Sequence, residues 1–239
     1  MSPASEKIIL ALDVSTLEEA EDFVKTLRPA IGIFKVGKQL FTRCGPDIIE
    51  MIHHHAGKVF LDLKYHDIPN TVARAVEEAA RLKVFMLTIH ATGGFTMMKE
   101  AVASGISSSR TISGPPPLIV AVTILTSLKQ EDLNAIGIDL PIEEAVSRLA
   151  VLAKQAGVNG VVASAQEAKR IKAACGNDFI IVTPGIRLQD TSLDDQKRAV
   201  TPKDALRAGS TFMVIGRPIL RANDPLKAAE AIAREIGEA

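Results

Sequence analysis

The sequence is nearly free of cysteine: only Cys44 and Cys175 occur, and they form neither a metal-type nor a redox pair. A disulfide scaffold is excluded and a reducing compartment is expected. Net charge is absent as well, with 28 Lys and Arg against 28 Asp and Glu and a pI near 7.0. That balance argues against nucleic acid or an anionic membrane as the main partner. No apolar run approaches the ~20 residues that a transmembrane helix needs. The N-terminal MSPASEK leads straight into an apolar run, without the basic-then-apolar layout of a signal peptide. Linkers and low-complexity stretches are also missing. These absences leave a soluble, cytoplasmic globular protein. Hydrophobic residues make up 47% of 239, enough for one large core, and α/β barrels often reach this size as one domain, here 1–239.

What is present is an alternation of apolar runs and amphipathic stretches along the whole length. The strand candidates are 8–12, 31–36, 58–63, 85–90, 118–123, 158–163, 179–183 and 211–215. Near-continuous hydrophobic strands of this kind belong to a parallel sheet buried on both faces. Helical patterns run over 16–27, 70–83 and 141–156, and Ser15 or Thr16 with Glu18 and Glu19 resembles a helix-starting cap. Eight βα units in this length predict a TIM (β/α)8 barrel. A doubly wound sheet is the alternative, but it usually has fewer strands. The turn-rich stretch Ser107–Pro117 reads as a connection at the bottom of the barrel.

One segment carries charge where a strand core should be apolar: residues 60–71, FLDLKYHDIPNT. Val59-Phe60-Leu61 reads as strand, followed by Asp62, Lys64 and Asp67. Period two puts Asp62 and Lys64 on one face, which is costly unless they pair with each other or with a ligand. Pro69 then suits the first turn of a helix. Polar residues also mark the other strand ends: Asp13, Lys35, His90, Thr123 and Thr126, Ser164, Gly185 with Arg187, and Gly216 with Arg217. In a (β/α)8 barrel these ends converge on the catalytic face. Gly216 allows close backbone approach to a ligand and Arg217 can grip a phosphate in bidentate fashion. The loops after strands 7 and 8 are the usual phosphate site of this fold. The polar stretch 184–201, with Gln189, Asp190, Asp194, Asp195 and Gln196, is a candidate lid.

Taken together, LALDV at 10–14, FKVG at 34–37, FLDLKYHDIPNTV at 60–72, VTILTS at 122–127, VTPGIR at 182–187 and IGRPI at 215–219 resemble the orotidine 5′-monophosphate decarboxylase family in its bacterial form. The motifs span Leu10 to Ile219 in the family's order, without departure at the matched positions. The resemblance implies decarboxylation of orotidine 5′-monophosphate to UMP without metal or organic cofactor. It implies a catalytic set of Lys64, which protonates C6 of the pyrimidine, Asp62 beside the departing carboxylate, Lys35 in the charge array and at the ribose, and Asp67 contributed by the partner subunit of a homodimer with shared active sites. It further implies that Asp13 binds a ribose hydroxyl, Thr126 lies at the pyrimidine amide edge, Gln196 bridges lid and phosphate, and Arg187, Gly216 and Arg217 hold the phosphate. Thr71, in the DIPNT tail, joins the substrate-binding set.

Two other readings use the same residues. A lyase of the same barrel type, such as a hexulose-6-phosphate synthase or ketogulonate-phosphate decarboxylase, would need Mg²⁺ and an enediolate. A non-catalytic phosphate-binding barrel would have no need of Asp62, Lys64 and Asp67 together. His53-His54-His55 reads as a polar helix end rather than a metal site, since neighbours on a helix point in different directions. Cys44 and Cys175 read as small packing residues, and His66 carries no assigned role.

Overall fold

Each of the eight apolar runs becomes a strand in the computed structural model, which describes residues 4–112, 114–186 and 200–237. The strands are β1 (Ile8–Ala11), β2 (Ile33–Gly37), β3 (Lys58–Tyr65), β4 (Met86–His90), β5 (Leu118–Val122), β6 (Gly160–Val162), β7 (Ile180–Thr183) and β8 (Phe212–Ile215). They pair in parallel in sequence order, and β1 closes on β8. The result is the expected (β/α)8 barrel. β6 is shorter than its apolar run, and just before it the side chain of Asn159 accepts a hydrogen bond from Ile119 N at 2.8 Å. Gly160 allows β6 to lie close to β7, since a Cβ there would run into the Ile180 carbonyl.

The helices are α1 (Leu17–Leu27), α2 (Lys38–Cys44), α3 (Asp47–His54), α4 (Pro69–Arg81), α5 (Gly94–Thr111), α6 (Gln130–Ala135), α7 (Ile142–Gln155), α8 (Ala165–Cys175), α9 (Pro202–Ala208), α10 (Arg217–Leu220) and α11 (Pro225–Gly237). Their apolar faces pack on the outside of the barrel in one large core. Thr16 caps α1: its hydroxyl accepts from Glu19 N at 3.1 Å, while the Glu19 carboxylate accepts from Ser15 N at 3.1 Å. Such a cap contributes about 1 kcal/mol. The segment between β2 and β3 is two helices, not one, because Gly45 takes φ +59 and Pro46 restarts the chain. Ser107–Pro117 also departs from expectation, since α5 continues to Thr111. The hydroxyls of Ser108 and Ser109 donate back to the carbonyls of Ser104 and Ile106, both at 2.8 Å, so they do not divert the backbone from the helix.

A second, smaller core fills the barrel itself. Ile9, Ile33, Phe60, Met86, Val120 and Val182 meet there, one from each of six strands. Burying one such side chain is worth roughly 1.5–3 kcal/mol. This plug forms the floor on which the functional residues stand.

Candidate active site

Lys35 follows Ile33 by two residues, Asp62 follows Phe60 by two, and Thr88 follows Met86 by two. Alternation therefore lifts these three side chains one layer above the plug, toward the C-terminal ends of the strands. Asp62 is the hub. Lys64 Nζ lies 2.8 Å from both of its carboxylate oxygens, and Lys35 Nζ lies 3.7 Å from Oδ2. On the other side Lys35 reaches Asp13 Oδ1 at 3.4 Å. The Lys35 and Asp62 side chains are only 11% and 13% exposed, whereas Asp13 is 62% exposed. The array thus runs from solvent at Asp13 into the barrel mouth at Asp62. At an effective dielectric of ~20 the Lys64–Asp62 attraction is roughly 6 kcal/mol before desolvation is subtracted.

Lys64 does not reach Asp62 by plain alternation. The β3–β4 ladder pairs Leu61 with Leu87 and next pairs Tyr65 with Ile89, so Asp62, Leu63 and Lys64 all face Thr88. This bulge places Lys64 in the left-handed region at φ +55, a conformation that disfavours a side chain by roughly 1–2 kcal/mol. Bulges re-aim side chains next to active sites. Here the bulge turns the ammonium back over the carboxylate two residues earlier.

The remaining expected residues fall into groups. Asp13, Lys35, Asp62 and Lys64 line a cavity of about 190 Å³ together with Gly37, Lys38 and Gln39. Thr126 lines a second cavity, of about 90 Å³, with Thr183, Pro184 and Gly185 at the ends of β5 and β7. Gly216 follows β8, and a Cβ there would stand 3.4 Å from Asp13 Oδ2, which brings the β8 end close to the array. Arg217, exposed, opens α10. Arg187 and Gln196, and most of the 184–201 stretch, lie outside the described residues; its ends meet in a bridge between Ile186 and Val200. Asp67 and Thr71 stand apart from the array. Asp67 is exposed, its carboxylate accepts from Ile68 N at 2.6 Å, and it forms no ion pair among the described residues. Thr71 is exposed on the first turn of α4, which begins at Pro69 as expected.

Some polar strand ends also serve structure, Ser164 while lining the smaller cavity. Thr123 donates to Val162 O at 3.1 Å. Ser164 caps α8, accepting from Gln166 N at 3.3 Å while Glu167 accepts from Ser164 N at 2.8 Å. The histidine run ends α3, with His55 Nε2 3.0 Å from Glu21. Among the described residues no cluster of three or more His, Cys, Asp or Glu is placed to hold a metal.

Three participants were missed: Lys38, Gln39 and Thr88. Lys38 and Gln39 line the larger cavity directly after FKVG. Thr88 is fully buried, and its trace in the sequence is a hydroxyl inside the otherwise apolar FMLTI. His90, one layer above Thr88, stacks on His66 with ring centroids 5.2 Å apart. Burial lowers the His90 pKa to about 4, helped by electrostatic repulsion from its neighbours His66, Lys64 and Lys38, so this ring is neutral at pH 7.

A closed (β/α)8 barrel with a lysine–aspartate array at its C-terminal mouth defines a barrel enzyme of the type whose chemistry sits on the strand ends. The sequence model described as "Orotidine 5'-phosphate decarboxylase / HUMPS family" matches residues 6–232. The chain belongs to this family. It is 53% identical over 239 residues to an orotidine 5′-phosphate decarboxylase of Syntrophotalea carbinolica, covering 99% of this chain and 97% of that one. The crystal structure of the Lactobacillus acidophilus orotidine 5′-phosphate decarboxylase superposes with a TM-score of 0.86 at 39% identity, over 97% of this chain and 99% of that one. The Pyrococcus horikoshii enzyme gives a TM-score of 0.76 at 25% identity, over 96% and 99%. No helix among the described residues is long and apolar enough to cross a membrane.

Proposed function

We propose that this chain decarboxylates orotidine 5′-monophosphate to UMP and CO₂, with Lys64 as the acid that protonates C6. The observation that carries the reading is the Lys64 ammonium, held at 2.8 Å from both oxygens of a largely buried Asp62 at the barrel mouth. Heterolysis of the C6–carboxylate bond leaves its electron pair on C6, in the ring plane and without an adjacent π-system to take it up. A positioned cation stabilises that charge without reorganising, and the same cation then donates a proton to C6. Solvent restores the proton to the neutral amine.

Asp62 lies beside the departing carboxylate in this reading. Lys35 and Asp13 face the ribose, Thr126 the amide edge of the base, and Thr71 the substrate. Arg187, Gly216 and Arg217 hold the phosphate, with Gln196 bridging to it. Phosphate binding far from C6 provides interaction energy that can serve the reaction at the base. Asp67 completes the array of a second copy of the chain. In support, its carboxylate stands exposed two residues beyond the end of β3, beside Ile68, which is 67% exposed. A cytoplasmic setting agrees with Cys44 and Cys175 both being free thiols.

The test is loss of orotate-ring absorbance when purified protein meets orotidine 5′-monophosphate in excess EDTA. Sustained turnover is expected. A strict Mg²⁺ requirement would point to the enediolate lyases of the same barrel, and no turnover with or without Mg²⁺ would leave only a phosphate-binding barrel.

A further inference from the structure

We infer that Thr88 is a positioning residue for the Asp62–Lys64 pair, acting through a single hydroxyl that joins both. This rests on the proposed roles of Asp62 and Lys64. The bulge sets up the need. Between the Leu61–Leu87 and Tyr65–Ile89 pairs, three residues of β3 face one residue of β4, so the ladder leaves backbone groups of β3 without strand partners. The amide of Lys64 finds one in a side chain: Lys64 N donates to Thr88 Oγ1 at 2.8 Å. An N–H can only donate, so the hydroxyl accepts there and its own proton is free to be given elsewhere. It goes to Asp62 Oδ1, at 3.0 Å.

One buried hydroxyl therefore fixes two things. It holds the backbone of Lys64 in its left-handed conformation, and it orients the carboxylate on which the Lys64 ammonium rests. A fully buried group in a well-packed strand is held by its surroundings, so Thr88 ties the bulged part of the array to the barrel wall. Two other hydroxyls at strand ends do not work this way. Thr123 bonds a backbone carbonyl, and the Thr183 hydroxyl is 2.6 Å from that of Ser210; neither touches a charged group.

The test is a substitution series at this position, read in three ways. Thr88→Val keeps shape and removes the hydroxyl; Thr88→Ser keeps the hydroxyl and removes the methyl; Thr88→Ala removes both. A hydrogen bond to a charged group corresponds to roughly 10- to 100-fold in an equilibrium or rate constant. The expected result is a fall in kcat of about that size for Val, with KM changed much less, and recovery of most of the turnover in Ser. Should Val fail to fold, the ratio of Ser to Ala isolates the hydroxyl. Slow hydrogen exchange of the Lys64 amide should survive in Ser and be lost in Val or Ala. Equal kcat in Ser and Ala, or in Val and the unsubstituted chain, overturns the inference. So does a loss that follows the thermal midpoint rather than the hydroxyl. The exchange readout does not depend on substrate: if the unsubstituted chain fails to turn over orotidine 5′-monophosphate while amide protection still tracks the hydroxyl, the proposed function falls and the positioning stands.

Discussion

Replacing Lys64 by alanine and, separately, by glycine should reverse the order of stability that strands normally show. In a strand interior glycine is the less stable choice by roughly 0.5–1 kcal/mol. Lys64 is at φ +55, where a Cβ is disfavoured by roughly 1–2 kcal/mol. The greater freedom of glycine in the unfolded chain offsets roughly 0.4–1 kcal/mol of that. The net is about 1 kcal/mol in favour of Lys64→Gly, or roughly 2–4 °C in thermal midpoint for a chain of this size. Comparing the two variants with each other cancels the larger and less certain change, which is loss of the ammonium 2.8 Å from Asp62. That loss is common to both, as is the hydrogen bond from the residue's own amide to Thr88. Urea midpoints and calorimetry at pH 7 measure the difference. Turnover should be nearly abolished in both variants while binding of a substrate analogue survives. If Lys64→Ala is as stable as Lys64→Gly, the side chain is not held in a disfavoured backbone conformation and the bulge argument fails. Full activity in either variant removes Lys64 from the chemistry.

The phosphate reading predicts that Arg217→Ala lowers kcat/KM for orotidine 5′-monophosphate by roughly 10- to 100-fold and leaves the phosphate-free nucleoside almost unaffected; an equal fall for both substrates would refute it. If Asp67 serves the neighbouring copy, Lys64→Ala and Asp67→Asn are each inactive alone, yet mixing and reassembling them restores one intact site in each mixed dimer. Random exchange then returns about a quarter of the unsubstituted activity, whereas no recovery places Asp67 in its own chain's site or in none. The His90 pKa is depressed from 6.5 to about 4, so the unfolded chain binds the extra proton first. Its contribution to stability is present above pH 6.5 and lost as pH falls toward 4. Urea midpoints followed from about pH 7.5 down to about pH 4.5 should fall more steeply in the unsubstituted protein than in His90→Asn, and parallel curves would show that His90 titrates normally.

The barrel was legible because parallel strands buried on both faces leave long apolar runs, and every one of the eight runs became a strand. The array was legible for the converse reason: Lys35, Asp62 and Lys64 are charges inside otherwise apolar runs, and Asp13 marks the next strand end. The route by which Lys64 reaches Asp62 was not legible. Alternation and bulge make the same prediction at the level of sequence, namely that the two side chains meet, because a period of two and a left-handed residue both bring Lys64 back over Asp62. Only the strand pairing separates them, and pairing is a relation between β3 and β4 that neither segment carries alone. Thr88 was missed for the same reason. A threonine is at home in any strand, so one hydroxyl in FMLTI says little until its neighbour across the ladder is known to bulge. The strand-end rule overreached in the other direction at Thr123, whose hydroxyl satisfies a backbone carbonyl where β5 ends, whereas Ser164 both caps α8 and lines the cavity with Thr126. A polar residue at a strand end has two possible debts, to a substrate or to the backbone, and burial distinguishes them poorly, since Thr88 and Thr123 are both buried. The identity of the hydrogen-bond partner does distinguish them: a backbone carbonyl at Thr123, a carboxylate already bound to an ammonium at Thr88.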